Sequence, residues 1–294
     1  MRVSVLGAGT MGHGIAQVAA MAGYDVTIRD IEESILESGV DAIESNLQGG
    51  VDRDKLTAEE KAAALDRIET TTSLPDAVGD ASFVVEAVPE RMDLKRETFE
   101  EVAANAPAEA VIATNTSSLS ITEIASVLDR PGRAIGLHFF NPVHIMGLVE
   151  IVVAEQTDDA TVEAATEFVE AIDKEPVTVT DSAGFASSRL GVAVGVEAIR
   201  MLEEGVAGPE DIDAAMELGY NHPMGPIELC DVVGLDVRLD ILEYLREELG
   251  ERFRPPQLLK RKVRAGKLGR KSGEGFYVWE DGEVVGVSGD WGEQ

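Results

Sequence analysis

Val3-Ser4-Val5-Leu6, then Gly7-Ala8-Gly9-Thr10-Met11-Gly12, a helical run to Ala22, and Gly23-Tyr24-Asp25-Val26-Thr27-Ile28-Arg29-Asp30 decide how this chain is read. The order is strand, glycine turn, helix, turn, strand, acid. Each glycine answers a separate demand. Gly7 permits the tight turn out of the first strand. Gly9 removes a side chain where the backbone must approach a pyrophosphate, and Gly12 lets the helix pack close to the strand. The N–H groups at the helix start face an anion, with the helix dipole favouring its charge. Asp30 ends the second strand, where a carboxylate can accept hydrogen bonds from a ribose diol. A bare glycine pattern of this kind is weak, but its place between strand and helix, with the acid where it should be, points to a dinucleotide. The competing interpretation is a flavodoxin-like βαβ unit with an accidental glycine set.

Working outward, residues 1–181 alternate strand and helix, which predicts an α/β fold with a Rossmann-like, doubly wound and mostly parallel sheet. Helices are expected at about 32–48, ended by Gly49-Gly50, and from Thr57, with Glu60 completing a capping box. Others are expected at about 94–104, capped by Asp93, and at 121–127 and 160–172. Strands are expected at 68–72, 81–88, 110–114, 134–137, 148–153 and 177–180. From residue 182 to 294 the character changes to helix. Residues 187–202 are apolar nearly all round, which predicts a buried helix. More helices are expected at about 209–218, 226–249 and 255–265, before a short end at Gly275-Phe276-Tyr277-Val278-Trp279. This second part is expected to be a helical substrate and dimerisation domain, because a very apolar helix needs a partner surface. There is no internal repeat and no low-complexity segment.

The 294 residues, 44% of them hydrophobic, can bury a sizeable core. No run of about 18 apolar residues predicts a transmembrane helix. The first strand begins without a basic region, apolar stretch and cleavage site, so no secretory signal is expected. Cys230 is the single cysteine, which excludes an internal disulfide and a cysteine-based metal site; no metal is expected. A cytoplasmic enzyme fits. Fifty-five acids face 25 bases, for a net charge of −30, and the acids recur along the whole chain. Such a surface repels nucleic acid and anionic membranes. It also strains the compact state by self-repulsion unless salt screens it, and at about 1 M salt the Debye length falls to roughly 3 Å. A high-salt cytoplasm is the expectation; an ordinary acidic enzyme is the alternative.

A second constellation follows in Gly136-Leu137-His138-Phe139-Phe140-Asn141-Pro142, which places His138 just past a strand. Open α/β sheets bind ligands outside the carboxyl ends of their strands. Twelve residues on, Glu150 is a charge in the apolar strand Leu148-Val149-Glu150-Ile151-Val152-Val153. A buried carboxylate needs a partner, and a histidine would supply one while having its own tautomer fixed. His144 is the competing catalytic candidate; His13 and His222 read as structural or peripheral. In Thr114-Asn115-Thr116-Ser117-Ser118-Leu119-Ser120, short polar groups follow a strand and could hold a substrate oxygen, cap the next helix, or both.

These segments resemble the 3-hydroxyacyl-CoA dehydrogenases, most closely the monofunctional 3-hydroxybutyryl-CoA type. The resemblance runs through Gly7–Gly12, Val85-Glu86-Ala87-Val88-Pro89-Glu90, Asn115–Leu119 and His138–Pro142. It continues into His222-Pro223-Met224-Gly225-Pro226 with Asp231 and Gly234-Leu235-Asp236, then Gly269-Arg270-Lys271-Ser272-Gly273-Glu274-Gly275-Phe276-Tyr277. It implies a reversible, NAD-linked oxidation of an (S)-3-hydroxyacyl-CoA to the 3-ketoacyl-CoA. By this resemblance His138 would be the general base, Glu150 would orient it, and Ser117 would hold the substrate oxygen at C3. Asn115 would shape the same pocket. Gly7, Gly9, Met11 and Gly12 would form the cofactor loop, and Glu90 and Lys95 would line the nicotinamide half. Asp30 would favour NAD over NADP, with Arg29 beside it as the opposing group. Arg53, about where the family has a CoA-contacting lysine, and Lys55 would meet the phosphates of CoA. Ser188 stands where the family carries an asparagine near the substrate carbonyl. A related hydroxy-acid or sugar-acid dehydrogenase without CoA, and a non-catalytic NAD-binding or structural protein, are the alternatives.

Overall fold

The computed structural model describes residues 1–289. Eight strands form one sheet: β1 (Arg2–Leu6), β2 (Asp25–Arg29), β3 (Ile68–Thr71), β4 (Phe83–Glu86), β5 (Val111–Thr114), β6 (Ala134–Phe139), β7 (Leu148–Val153) and β8 (Glu175–Thr180). Their spatial order is β3-β2-β1-β4-β5-β6-β7-β8. β1 to β6 run parallel, β7 turns antiparallel to β6, and β8 lies parallel to β7. The strand order reverses between β1 and β4, the crevice where open α/β sheets bind ligands.

Seven helices accompany this sheet: α1 (Gly12–Met21), α2 (Glu33–Val51), α3 (Ala58–Leu65), α4 (Leu74–Val78), α5 (Met92–Asn105), α6 (Ile121–Ala125) and α7 (Asp159–Ala171). Alternation along the strands feeds two cores. Val3, Val5, Phe83 and Val85 pack with Ile15, Ile43 and Phe168 from α1, α2 and α7. Leu6, Val84 and Ile112 pack with Leu74, Phe99 and Ile124 from α4, α5 and α6. Both faces are covered, which is why the central strands read as continuous apolar runs. The capping box forms as the sequence predicts: Thr57 Oγ1 accepts from Glu60 N–H at 3.1 Å, and Glu60 Oε2 accepts from Thr57 N–H at 2.8 Å.

Several elements differ from expectation. α2 passes through Gly49 and Gly50 to Val51. There a side chain on Gly49 would lie 3.3 Å from the Arg53 guanidinium, so the glycine makes room for a turn folding back. Asp93 lies inside the first turn of α5, with Arg91 at the cap; its charge still suits the positive helix end. A short helix not expected from the sequence, α4, also forms, capped by Ser73 and with Pro75 in its first turn.

The fold divides into two compact units, Met1–Ser182 and the residues from Ala183 on. The second contains α8 (Ser187–Glu204), α9 (Pro209–Tyr220), α10 (Pro226–Val233), α11 (Leu235–Leu249), α12 (Gln257–Arg264) and a hairpin of β9 (Tyr277–Glu280) and β10 (Glu283–Val287). The single helix expected over 226–249 is two helices, because Gly234, at φ +104°, breaks the run between α10 and α11. α8 is not buried all round: Val192, Val196 and Ile199 face a core, whereas Leu190 stays 67% exposed. Asp231 links the quoted C-terminal motif to α10. Its carboxylate accepts from the N–H groups of Phe276 and Tyr277, both at 2.9 Å, and from Trp279 Nε1 at 3.0 Å. Burial raises the pKa of Asp231 despite these donors.

Candidate active site

Register explains how a histidine and a glutamate twelve residues apart meet. β6 and β7 are antiparallel, and His138 lies directly opposite Glu150. Opposite residues share a sheet face, so both side chains point the same way. His138 Nδ1 stands 2.8 Å from Glu150 Oε2. The histidine is 7% exposed and the glutamate 1%. A carboxylate this deep is tolerable because the imidazole pairs with it. The Phe140 ring lies beside that of His138, centroids 4.5 Å apart. Contrary to expectation, His138 lies within the strand rather than past it. β5 stops pairing at Gly136, but β7 continues to pair as far as Phe139, so β6 runs two residues beyond the expected end at Leu137.

The polar loop after β5 is tied to both neighbouring strands. Asn115 N–H donates to Glu86 O at 2.7 Å, and Asn115 Oδ1 accepts from Phe139 N–H at 3.0 Å. Asn115 thus carries the sheet connection on past the end of β5, next to His138. Ser117 is exposed, and its N–H donates to Glu90 Oε1 at 3.0 Å. Thr116 and Ser118 donate their hydroxyls to the same oxygen, at 2.5 and 3.2 Å. Ser120 serves as the cap of α6, so the polar cluster does have the capping role foreseen for it.

Lys95 is fully buried on α5. Its Nζ stands 2.8 Å from Glu86 Oε1 and 3.4 Å from Glu90 Oε2. Sequence reasoning gave Glu86 no role. The signal was present, since Glu86 is a charge in the apolar run Phe83-Val84-Val85, the same pattern that singled out Glu150.

The glycine loop meets its three demands separately. Gly7 has φ +104°, and a Cβ there would lie 2.6 Å from Ala87 O. A Cβ on Gly12 would lie 1.7 Å from Gly7 O, so helix and loop touch. A Cβ on Gly9 would meet nothing within 4 Å, so the space before it is open. Met11 occupies the cap position of α1, which has neither a capping side chain nor an acid in its first turn. That leaves the helix start suited to an anion. Asp30 accepts from the N–H groups of Ala8 at 2.8 Å and Ile31 at 2.7 Å, which fixes the carboxylate against the loop. Each oxygen retains a further acceptor position. These residues fit the pyrophosphate and adenine ribose of a dinucleotide. Arg29 turns aside, its Nε directed to Thr72 O at 3.4 Å.

Arg53 and Lys55 follow α2 and line a cavity of about 480 Å³ with Gln17, Asn46, Ile145 and His144. His144, the competing catalytic candidate, has cationic surroundings rather than an acid partner. Burial lowers its pKa below the ordinary 6.5, and His13, Arg53 and Lys174 lower it further. Ser188 belongs to the second unit, half-buried in the first turn of α8. Among the described residues, no group of three or more His, Cys, Asp or Glu could hold a metal ion, and no helix is long and apolar enough to cross a membrane.

Residues 2–182 match the profile of the 3-hydroxyacyl-CoA dehydrogenase NAD binding domain, and residues 184–279 that of the C-terminal domain of the same family. The chain is similar to a 3-hydroxybutyryl-CoA dehydrogenase of Bradyrhizobium diazoefficiens, 45% identical over 97% of each chain. It is also similar to the mitochondrial hydroxyacyl-coenzyme A dehydrogenase of Rattus norvegicus, 42% identical over 95% of this chain and 91% of the other. Among solved structures it is similar to an (S)-3-hydroxybutyryl-CoA dehydrogenase from Ralstonia eutropha. The TM-score is 0.92 and the identity 42%, covering 95% of this chain and 99% of the other.

Proposed function

We propose a residue-level mechanism and a short-chain substrate for this chain, which belongs to the 3-hydroxyacyl-CoA dehydrogenase family, an NAD-dependent oxidoreductase family. The reaction is the reversible oxidation of an (S)-3-hydroxyacyl-CoA to the 3-ketoacyl-CoA, and the names of the relatives favour 3-hydroxybutyryl-CoA as substrate. The observation that carries the mechanism is the buried contact of 2.8 Å between His138 Nδ1 and Glu150 Oε2.

When bound, NAD supplies the hydride acceptor for C3 of the substrate. Gly7, Gly9, Met11 and Gly12 would receive its pyrophosphate, and Asp30 its adenine ribose. Glu90 would line the nicotinamide half, and Lys95 would act there from its buried position. With Nδ1–H directed to Glu150, the lone pair of His138 sits on Nε2. His138 Nε2 takes the proton of the C3 hydroxyl as the hydride leaves C3, and returns it in the reverse direction. Glu150 stabilises the imidazolium that forms. Ser117 donates to the oxygen on C3, and Asn115 fixes the loop beside His138. Ser188 replaces a family asparagine with a shorter donor.

CoA is strongly anionic and the chain carries −30, so its phosphates need a local cationic site. Arg53 and Lys55, at the cavity with His144, are that site in this reading. The second unit is the substrate and dimerisation domain. On it Leu190, Val194, Met201 and Met216 line an apolar groove of about 400 Å³. A second copy of the chain covers that groove in a homodimer, working in a cytoplasm of high salt.

The decisive assay is acetoacetyl-CoA-dependent oxidation of NADH at low and at molar KCl. Absence of turnover on any acyl-CoA under both conditions overturns the substrate class. Turnover on free 3-hydroxy acids alone favours the dehydrogenase without CoA.

A further inference from the structure

We propose that Glu86 is a positioning residue for both halves of the reaction. It joins the loop after β4 to the loop after β5, and so holds Glu90 and Ser117 as one rigid piece. This inference rests on the reading of Ser117 and Glu90 given above.

The contacts close a ring across the carboxyl ends of the two strands. Glu86 and Thr114 are opposite residues at the last paired position of β4 and β5. Glu86 Oε2 accepts from Thr114 Oγ1 at 2.6 Å. Glu86 Oε1 accepts from Val88 N–H at 2.7 Å and from Lys95 Nζ at 2.8 Å. Lys95 also donates to Val88 O at 3.3 Å, and it holds Glu90 through Oε2. Glu90 Oε1 then receives Thr116, Ser117 N–H and Ser118. Starting from Thr114, the ring therefore returns to the loop that begins one residue later.

Glu86 and Lys95 are both fully buried. Burying such a pair brings little net stability, and hydrophobic residues of the same volume often serve as well. What the pair provides here is direction. The carboxylate accepts from a strand hydroxyl, a backbone N–H and an ammonium at once, which fixes Lys95. Lys95 in turn holds Glu90 Oε2 from the buried side, while the 116–118 loop holds Oε1, so the carboxylate is fixed between the two. Placement of a reacting group within fractions of an ångström controls turnover more than affinity.

Glu86→Gln tests this, because the amide keeps the shape but cannot accept from all three donors. Two quantities are read: kcat for acetoacetyl-CoA reduction per NADH-binding site, and hydrogen exchange of the 115–119 amides without ligand. The expected result is a ten-fold or greater fall in kcat, with KM for acetoacetyl-CoA changed less than three-fold, and exchange faster by ten-fold or more. A purely structural role would lower the number of binding sites and the melting temperature while leaving kcat per site intact. Either kcat per site within two-fold of the parent or unchanged exchange overturns the proposal. Should Glu86→Gln fail to fold, Thr114→Val removes one contact only; it should lower kcat per site at least three-fold, and an unchanged value overturns the proposal. Exchange needs no activity, so inactivity of the parent enzyme counts against the assigned reaction and not against this ring.

Discussion

Glu150→Gln replaces one carboxylate oxygen with an amide nitrogen and leaves volume, burial and strand register in place. The parent contact is 2.8 Å, with Glu150 1% exposed. As the proton arrives on His138 the imidazolium gains a full counter-charge; unit charges about 4 Å apart attract by roughly 4 kcal/mol at an effective dielectric of about 20. If half of that charge has developed at the transition state, the lost stabilisation is about 2 kcal/mol, or roughly 30-fold in rate. That is the smaller loss, with the glutamine oxygen still accepting from Nδ1–H. If the amide nitrogen faces the ring, the tautomer inverts and the lone pair leaves Nε2, where losses on the order of 10⁴ become reachable. The assay is steady-state oxidation of NADH by acetoacetyl-CoA, with folding checked by thermal melting. The expected outcome is a kcat lowered between these bounds, with KM for acetoacetyl-CoA within a few-fold. Turnover within three-fold of the parent would refute the assignment of Glu150 as partner of the base.

Three further outcomes follow from the structure. Because cations and burial keep His144 neutral where an ordinary histidine would be charged, an arriving phosphate should restore its proton. KM for acetoacetyl-CoA should therefore fall as pH drops below about 6.5, and His144→Gln should remove that dependence; a KM flat with pH in the parent takes His144 out of the CoA site. Asp231→Asn leaves three N–H donors facing an amide that offers one oxygen, so urea unfolding should show a loss of about 1–3 kcal/mol; an unchanged midpoint would mean that the C-terminal motif is held by other contacts. With −30 charges, the melting temperature should rise by several degrees between low and molar KCl, and an unchanged melt would count against a high-salt origin.

What the sequence made legible was mostly local or periodic. Thr57 and Glu60 announce a helix start because the contacts join residues three apart. The glycine loop is legible because each glycine answers a steric demand within one βαβ unit. Glu150 stood out as a charge among apolar neighbours, and the antiparallel register of β6 and β7 brings His138 opposite it. The failures come from tertiary context. Gly49 and Gly234 look alike in sequence, yet the helix runs through the first, where Arg53 folds over it, and breaks at the second, where φ is positive. The length of β6 depends on β7 continuing to pair after β5 stops, which no local pattern encodes. Leu190 reads as core by composition and lies bare on α8. The same logic that found Glu150 applies to Glu86, whose partner Lys95 lies on a helix and not on the next strand.

The antiparallel turn of β7 has a consequence for how this chemistry can change over time. His138 and Glu150 are opposite rungs of one ladder, so the sheet sets their separation and the connecting segment does not. The connecting residues 140–147 have other tasks: Phe140 packs beside His138, Val143 is buried in the core, and His144 and Ile145 line the cavity with Arg53. A slip of a single residue in either strand would turn Glu150 to the opposite face, away from His138, and leave its buried carboxylate without that partner. An insertion within either strand should therefore separate the pair, which an insertion in the connecting segment would not do directly.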